Sequence, residues 1–243
     1  VESLKGKVVV ITGANQGIGK GLALAFAAAG CRLAICARNQ IKLAAVADEI
    51  SNLGVDVLGI PTDVSDEMAV KSFFQQIDEK YSRIDILVNN AGAFDGGRLD
   101  EVSLDAWNNV VGACLTGAFL CSREAFTRMK DTGGGRILNI GSISAQRPRE
   151  NSAPYASAKF GVWGLTQATA IDGRPFGIAC SCLHPGNVGV ERRQESDTES
   201  DQEPMMATET IVEAAMAMLS VPSHVNFLEA IVLPNDQLYL GRG

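Results

Sequence analysis

The chain of 243 residues predicts an α/β fold, a doubly wound seven-stranded parallel sheet with helices on both faces. Three observations predict it. Short runs rich in Val, Ile and Leu alternate with segments of helical period, the pattern of repeated βαβ units. Seven such runs occur in one chain. They lack apolar/polar alternation, so they are expected to be buried on both faces, and the right-handed crossover rule then sends helices to each side.

In chain order, a strand is expected at 7–12 (KVVVIT), then a helix at 17–29. A strand at 31–37 (CRLAICA) and a helix at 39–53 follow, and then a strand at 55–60 (VDVLGI) and a helix at 65–80. The second half repeats the plan, with strands at 84–89 (IDILVN), 135–141 (GRILNIG), 177–183 (GIACSCL) and 228–233 (LEAIVL) and helices at 101–130, 152–172 and 207–220. No repeat or linker divides residues 1–243, so one domain is expected. The one break in composition is ERRQESDTESDQEP (191–204), polar and acidic. Because it follows a strand end, 191–207 is expected to be a flexible lid over a substrate site.

Composition narrows the function classes. A net charge of −7 argues against nucleic acid, whose binding needs clustered Lys and Arg. No run is apolar enough for a membrane span, and the opening VESLKGKVVVITG lacks a signal pattern, so a cytoplasmic protein is expected. The six cysteines include no C-x-x-C pair and accompany only two histidines, so neither a metal site nor a redox motif is indicated.

The turn after the first strand, TGANQGIGKG, arranges Gly13, Gly17 and Gly19 as G-x-x-x-G-x-G. Glycines there permit a tight turn and let backbone approach a pyrophosphate at a helix amino terminus. No G-K-[ST] follows, which excludes an ATP-type loop. At the end of the second strand an acid would accept the hydrogen bonds of a free ribose 2′-OH. Here Ala37 and Arg38 stand instead. A guanidinium suits a 2′-phosphate, so NADP(H) is favoured over NAD(H).

Six motifs together resemble the short-chain dehydrogenases/reductases. They are TGANQGIG (12–19), TDV (62–64), NNAG (89–92), GSIS (141–144), YASAK (155–159) and HPGNV (184–188), in that family's order and spacing over about residues 5–190. The resemblance implies a Rossmann fold that binds NAD(P). Cofactor contacts would come from Gly13, Asn15, Gln16, Gly17, Ile18 and Gly19, from Arg38, Asp63 and Val64, and from Asn90, Ala91 and Gly92. Pro185, Gly186 and Val188 would contribute on the far side, with Tyr155 and Lys159.

The same resemblance implies that Tyr155 passes a proton to a substrate carbonyl oxygen or takes it from an alcohol. A phenol ordinarily titrates near about 10, so it needs a cation; Lys159, one helical turn away, would supply it. Ser142 would hydrogen-bond the substrate oxygen where charge develops. Tyr155 and Lys159, four apart, share one helical face independently of any family. The family also implies homodimers or homotetramers built on Ala/Gly/Ser-rich helices.

Three departures stand out. Cys114 occupies the place of the family's relay asparagine, and a thiol holds a relay water poorly. Val190 stands where the family has a threonine that contacts the cofactor. The last fifty residues match the family poorly. His184, a strand-end histidine beside Pro185, is expected to be positional.

Arg147 and Arg149 follow Ser142 within the expected substrate wall (143–152), while Arg192 and Arg193 open the lid. They either clamp a substrate carboxylate, as for a hydroxy or oxo acid, or pair with the lid's acids. The leading expectation is an NADP(H)-preferring oxidoreductase for a small-molecule secondary alcohol or carbonyl. The alternative is an NAD(P)-binding regulatory or scaffold protein with catalysis impaired at Cys114.

Overall fold

The computed structural model describes residues 3–191 and 203–239. Its sheet contains β1 (Val8–Thr12), β2 (Arg32–Ala37), β3 (Val57–Pro61), β4 (Ile86–Asn89), β5 (Gly135–Ile140), β6 (Ile178–Pro185) and β7 (Glu229–Val232). The strands run in the order β3-β2-β1-β4-β5-β6-β7, and every pair is parallel.

Alternate residues of the strands feed two cores, which is why an unbroken apolar run serves as a strand. Val9, Ile11, Leu33 and Ile35 face one side with Leu22 and Phe26 of α1 (Gly17–Ala28), Leu43 and Ile50 of α2 (Gln40–Asn52) and Ile211 of α7 (Thr208–Leu219). Val8, Val10, Ala34 and Cys36 face the other side with Phe73, Phe74 and Ile77 of α3 (Glu67–Tyr81) and Leu120 and Met129 of α5 (Gly117–Asp131). Burial on both faces holds for β1, β2 and β4 but not at the sheet edges, where β3 and β7 are part-exposed. Edge strands have a neighbour on one side only, and their outer residues stay in contact with water.

The helix expected at 101–130 is two helices. α4 (Leu104–Val111) and α5 are joined by a π-turn, Gly112–Thr116. Nothing in residue type marks this change, since Gly, Ala, Cys, Leu and Thr serve either geometry. Its packing explains it: a Cβ at Gly117 would lie 2.5 Å from Val64 Cγ2, so the helix passes directly over the 62–65 turn. Cys114 lies within this π-turn and is buried.

The strand order reverses between β1 and β4, opening a crevice at their carboxyl ends. α6 (Ala153–Gly173) packs against β6 and against the 3₁₀ turn Ile143–Ala145 that follows β5, which brings its first turns to the same edge.

Candidate active site

The glycine turn is closed by backbone. A Cβ at Gly13, which has φ +65°, would lie 2.7 Å from Ala91 Cα, and one at Gly19 would lie 2.2 Å from the Gly13 carbonyl oxygen. Asn90 stitches the turn to the end of β4. Its Nδ2 donates to the Thr12 and Gly13 carbonyls at 3.0 Å each, while the Asn90 and Ala91 amides donate to Thr12 Oγ1. The Asn90 side chain is therefore spent on shaping the cradle.

α1 opens at this cradle without a side-chain cap and with no acid in its first turn, so its amino-terminal partial charge is left for a ligand. Gly17 N–H donates to Glu191 Oε1 at 3.3 Å, and Val190 lies against Gly17. A carboxylate oxygen accepted at this point shows that the cradle fits an anionic oxygen, as a dinucleotide's pyrophosphate requires. Asn15, Gly17 and Ile18 are part-buried around the turn and Gln16 is exposed.

Two cations stand beyond it. Arg38 is exposed just after β2, next to Asp63. Burial pushes the Asp63 carboxyl up, but the Ser65 hydroxyl and amide and the Arg38 guanidinium outweigh it and hold it below the ordinary aspartate value. The second cation was missed in the sequence: Lys42 Nζ donates to Gln16 Oε1 at 3.1 Å and so stands over the glycine turn. Its signal was its place in the first turn of α2, the helix that Asn39 caps through Lys42 N–H. Asn89 lies outside the site, in a buried network with Ser122 and Asn139.

The proton-transfer candidates meet at the carboxyl edge of β4 and β5. Tyr155, half-buried, shares a small cluster with Cys114, Val110 and Ala158. Phe94, an exposed ring, meets Tyr155 edge-on at 5.2 Å between centroids. Lys159 is buried, with Nζ 5.5 Å from the Tyr155 ring centroid, and donates to the Ile140 carbonyl at 2.7 Å. Burial disfavours its ammonium, but Tyr155, Cys114 and Cys182 outweigh burial and hold its pKa above the ordinary lysine value. Lys159 is therefore a permanent cation at neutral pH.

Ser142 follows β5 in extended backbone, and its Oγ accepts from the Ser144 amide at 3.1 Å. A hydroxyl that accepts one bond keeps its own proton to donate. Cys114 Sγ accepts from the Ala93 amide and donates to the Ala93 carbonyl, at 3.4 Å each, and lies against Gly92. The thiol thus ties the π-turn to the 91–93 backbone.

The far wall depends on the carboxyl-terminal segment, which sequence reasoning did not connect to the site. Gln237 Oε1 accepts from the Asn187 amide at 2.9 Å and lies where a Cβ at Gly186 would be. Pro185 and Gly186 are held through the Gly186 amide bond to Val232, and Val188 bridges to Met206. Arg149 Nη2 donates to Asn187 Oδ1 and Glu203 Oε2, both at 2.8 Å. Of the two readings for the wall arginines, Arg149 pairs with a lid acid, and Arg147 lies over the Tyr239 ring. Residues 192–202 of the expected lid, with Arg192 and Arg193, lie outside the described residues. Among the described residues no cluster of His, Cys, Asp and Glu is arranged to hold a metal, and no helix is long and apolar enough to cross a membrane.

Residues 7–201 match the family model described as short chain dehydrogenase. A 3beta-hydroxysteroid dehydrogenase of Mediterraneibacter gnavus is 34% identical over 194 residues, covering 79% of this chain and 70% of that protein. Among solved structures, a short-chain type dehydrogenase/reductase from Mycobacterium marinum aligns with a TM-score of 0.89 at 30% identity, covering 95% of both chains. An alcohol dehydrogenase from Thermococcus sibiricus, complexed with 5-hydroxy-NADP, aligns with a TM-score of 0.83 at 28% identity over 94% of this chain and 96% of that one.

Proposed function

The chain belongs to the short-chain dehydrogenases/reductases and is an oxidoreductase, and from that premise we propose that it interconverts a secondary alcohol and a carbonyl, preferring NADP(H), with Tyr155 as acid and base. One observation carries the reading: a buried Lys159 cation beside the Tyr155 ring at the sheet edge where the glycine cradle opens. When bound, the nicotinamide supplies or accepts the hydride.

The chain's own residues do the rest. The Tyr155 hydroxyl gives its proton to the carbonyl oxygen in reduction and takes it back in oxidation. Lys159 stabilises the phenolate left behind; one of its three N–H donors is used by Ile140, and two remain for the ribose and for proton return. Ser142 donates to the substrate oxygen as negative charge gathers there. Phe94 forms an apolar wall beside Tyr155.

The glycine cradle and the amino terminus of α1 hold the pyrophosphate, and Arg38 and Lys42 hold the 2′-phosphate. The complex of the Thermococcus relative with an NADP analogue supports the preference. Pairing of Arg149 with Glu203 favours a neutral substrate over a hydroxy or oxo acid. The free, buried thiols fit a reduced cytoplasmic setting. Exposed Leu104, Trp107, Phe119 and Phe160 on α4, α5 and α6 support pairing of two or four copies of the chain as one-domain subunits.

A panel of ketones and aldehydes with NADPH, followed by loss of its absorbance, tests the reading. Turnover is expected, and Tyr155→Phe should cut kcat about a thousandfold while leaving NADPH affinity within a few-fold. No turnover on any carbonyl or alcohol, with tight NADPH binding, overturns it. Arg38→Ala and Lys42→Ala should each lower the NADPH:NADH affinity ratio; an unchanged ratio in both overturns the cofactor preference.

A further inference from the structure

His184 is fully buried, yet its Nε2 has no hydrogen-bond partner. A buried ring nitrogen left in this state identifies which nitrogen carries the proton. Nδ1 lies 2.9 Å from the Ser142 carbonyl oxygen, a contact that needs a hydrogen between the two atoms. The Ser142 amide N–H also points at Nδ1, at 3.3 Å, a contact that would need Nδ1 bare; the shorter 2.9 Å contact with the carbonyl oxygen assigns the proton to Nδ1.

The nearest atom that would draw the proton to the other nitrogen is Glu229 Oε1 on β7, 3.4 Å from Nε2. That oxygen already accepts from Gln146 Nε2 at 2.7 Å. The Gln146 amide is in turn oriented by Tyr239, whose hydroxyl donates to Gln146 Oε1. Gln146 takes one lone pair of the Glu229 oxygen and holds it at 3.4 Å from Nε2, beyond an ordinary N–H···O length, whereas the Ser142 carbonyl lies within that length of Nδ1. Burial keeps the imidazole neutral, with Lys159 acting the same way against the opposing pull of Ser142 and Glu229.

The ring has no freedom to do otherwise. Trp163 of α6 meets it edge-on at 5.6 Å, and a Cβ at Gly141 would lie 2.6 Å from Nδ1. A closed circuit results: Ser142 and Gln146 belong to one short loop, Gln146 holds Glu229, Glu229 faces His184, and His184 returns to Ser142. Tyr239 enters it from the carboxyl-terminal segment.

We propose that His184 is a positioning residue for Ser142, donating Nδ1–H to the Ser142 carbonyl so that the serine hydroxyl faces the substrate oxygen, with Tyr239 and Gln146 fixing that tautomer. This rests on the reading of Ser142 as the group that stabilises the substrate oxygen. His184, Glu229, Gln146 and Tyr239 act only through Ser142, which is the member of the circuit that meets the substrate oxygen.

The chain has two histidines, and His224 is exposed, so nitrogen-15 spectra of the full chain resolve the His184 ring against an exposed reference. The proton is expected on Nδ1 with Nε2 bare; a proton on Nε2 overturns the proposal, and this measurement needs no turnover. In kinetics, His184→Asn, whose amide N–H replaces Nδ1–H, should keep kcat within about threefold. His184→Gln, which offers its amide at the Nε2 position, should lose about tenfold to a hundredfold in kcat with NADPH affinity unchanged. Equal loss in both variants at native melting temperature, or no loss in His184→Gln, overturns the proposal. Tyr239→Phe should produce a mixture of ring tautomers; an unchanged spectrum overturns the part given to Tyr239. If the native chain turns over nothing, the catalytic reading fails, while the ring spectrum still decides whether His184 holds Ser142.

Discussion

The two walls of the crevice are built on different principles. The glycine cradle is held by main chain: glycines approach carbonyls and α-carbons at distances that exclude any side chain, and Asn90 closes it with two bonds to backbone carbonyls. The opposite wall is held by side chains reaching from far along the sequence, Gln237 to Asn187, Glu203 to Arg149 and Tyr239 to Gln146. A wall made of backbone recognises what every member of a family binds. A wall made of side chains can be exchanged one residue at a time, and it is there that we propose substrate choice resides.

That contrast sets an order of effects. The strongest way to break the cradle is Gly19→Ala, whose methyl would meet the Gly13 carbonyl at 2.2 Å. Its expected cost is about 2–4 kcal/mol of stability, with NADPH affinity lost by at least about tenfold; thermal melting with and without NADPH measures both.

Asn90→Ala comes next. It removes the donors to the Thr12 and Gly13 carbonyls, and about 1–3 kcal/mol should be lost, with the reduction in NADPH affinity exceeding any change in substrate KM.

On the opposite wall, Gln237→Ala leaves the buried Asn187 amide without its acceptor. A loss of about 1–2 kcal/mol is expected, and here substrate KM should rise while NADPH affinity holds. If Gln237→Ala weakens NADPH as much as Asn90→Ala does, the distinction between the walls is wrong. The smallest effect belongs to Glu203→Gln. The Arg149 pair is part-exposed, with 27% and 31% side-chain exposure, so stability should change by less than about 1 kcal/mol. Freed of its carboxylate, Arg149 should improve kcat/KM for oxo acids relative to neutral ketones, a ratio that steady-state kinetics reads directly.

The same contrast explains what was legible beforehand. Residues that bind through glycine conformation or through helical spacing carry their signal locally: Gly13, Gly17 and Gly19 in one turn, Tyr155 and Lys159 four apart. The seven strands were legible because each is a short apolar run. Gln237, Glu203 and Glu229 were not, since they bond to residues 50, 54 and 83 positions away respectively, and no period links such pairs. Lys42 escaped notice because its use depends on where α2 lies against the glycine turn. The π-turn at Cys114 escaped because its residues suit an ordinary helix equally well.

Glu191 has a consequence for every affinity measured on this chain. Its carboxylate accepts from Gly17 N–H at the amino terminus of α1, so an incoming pyrophosphate at that point meets an internal competitor before it meets water. On the proposed reading of this cradle as the pyrophosphate site, a titration with NADPH reports an exchange of one anion for another, and the observed dissociation constant is the intrinsic one divided by the fraction of molecules whose Glu191 is turned away.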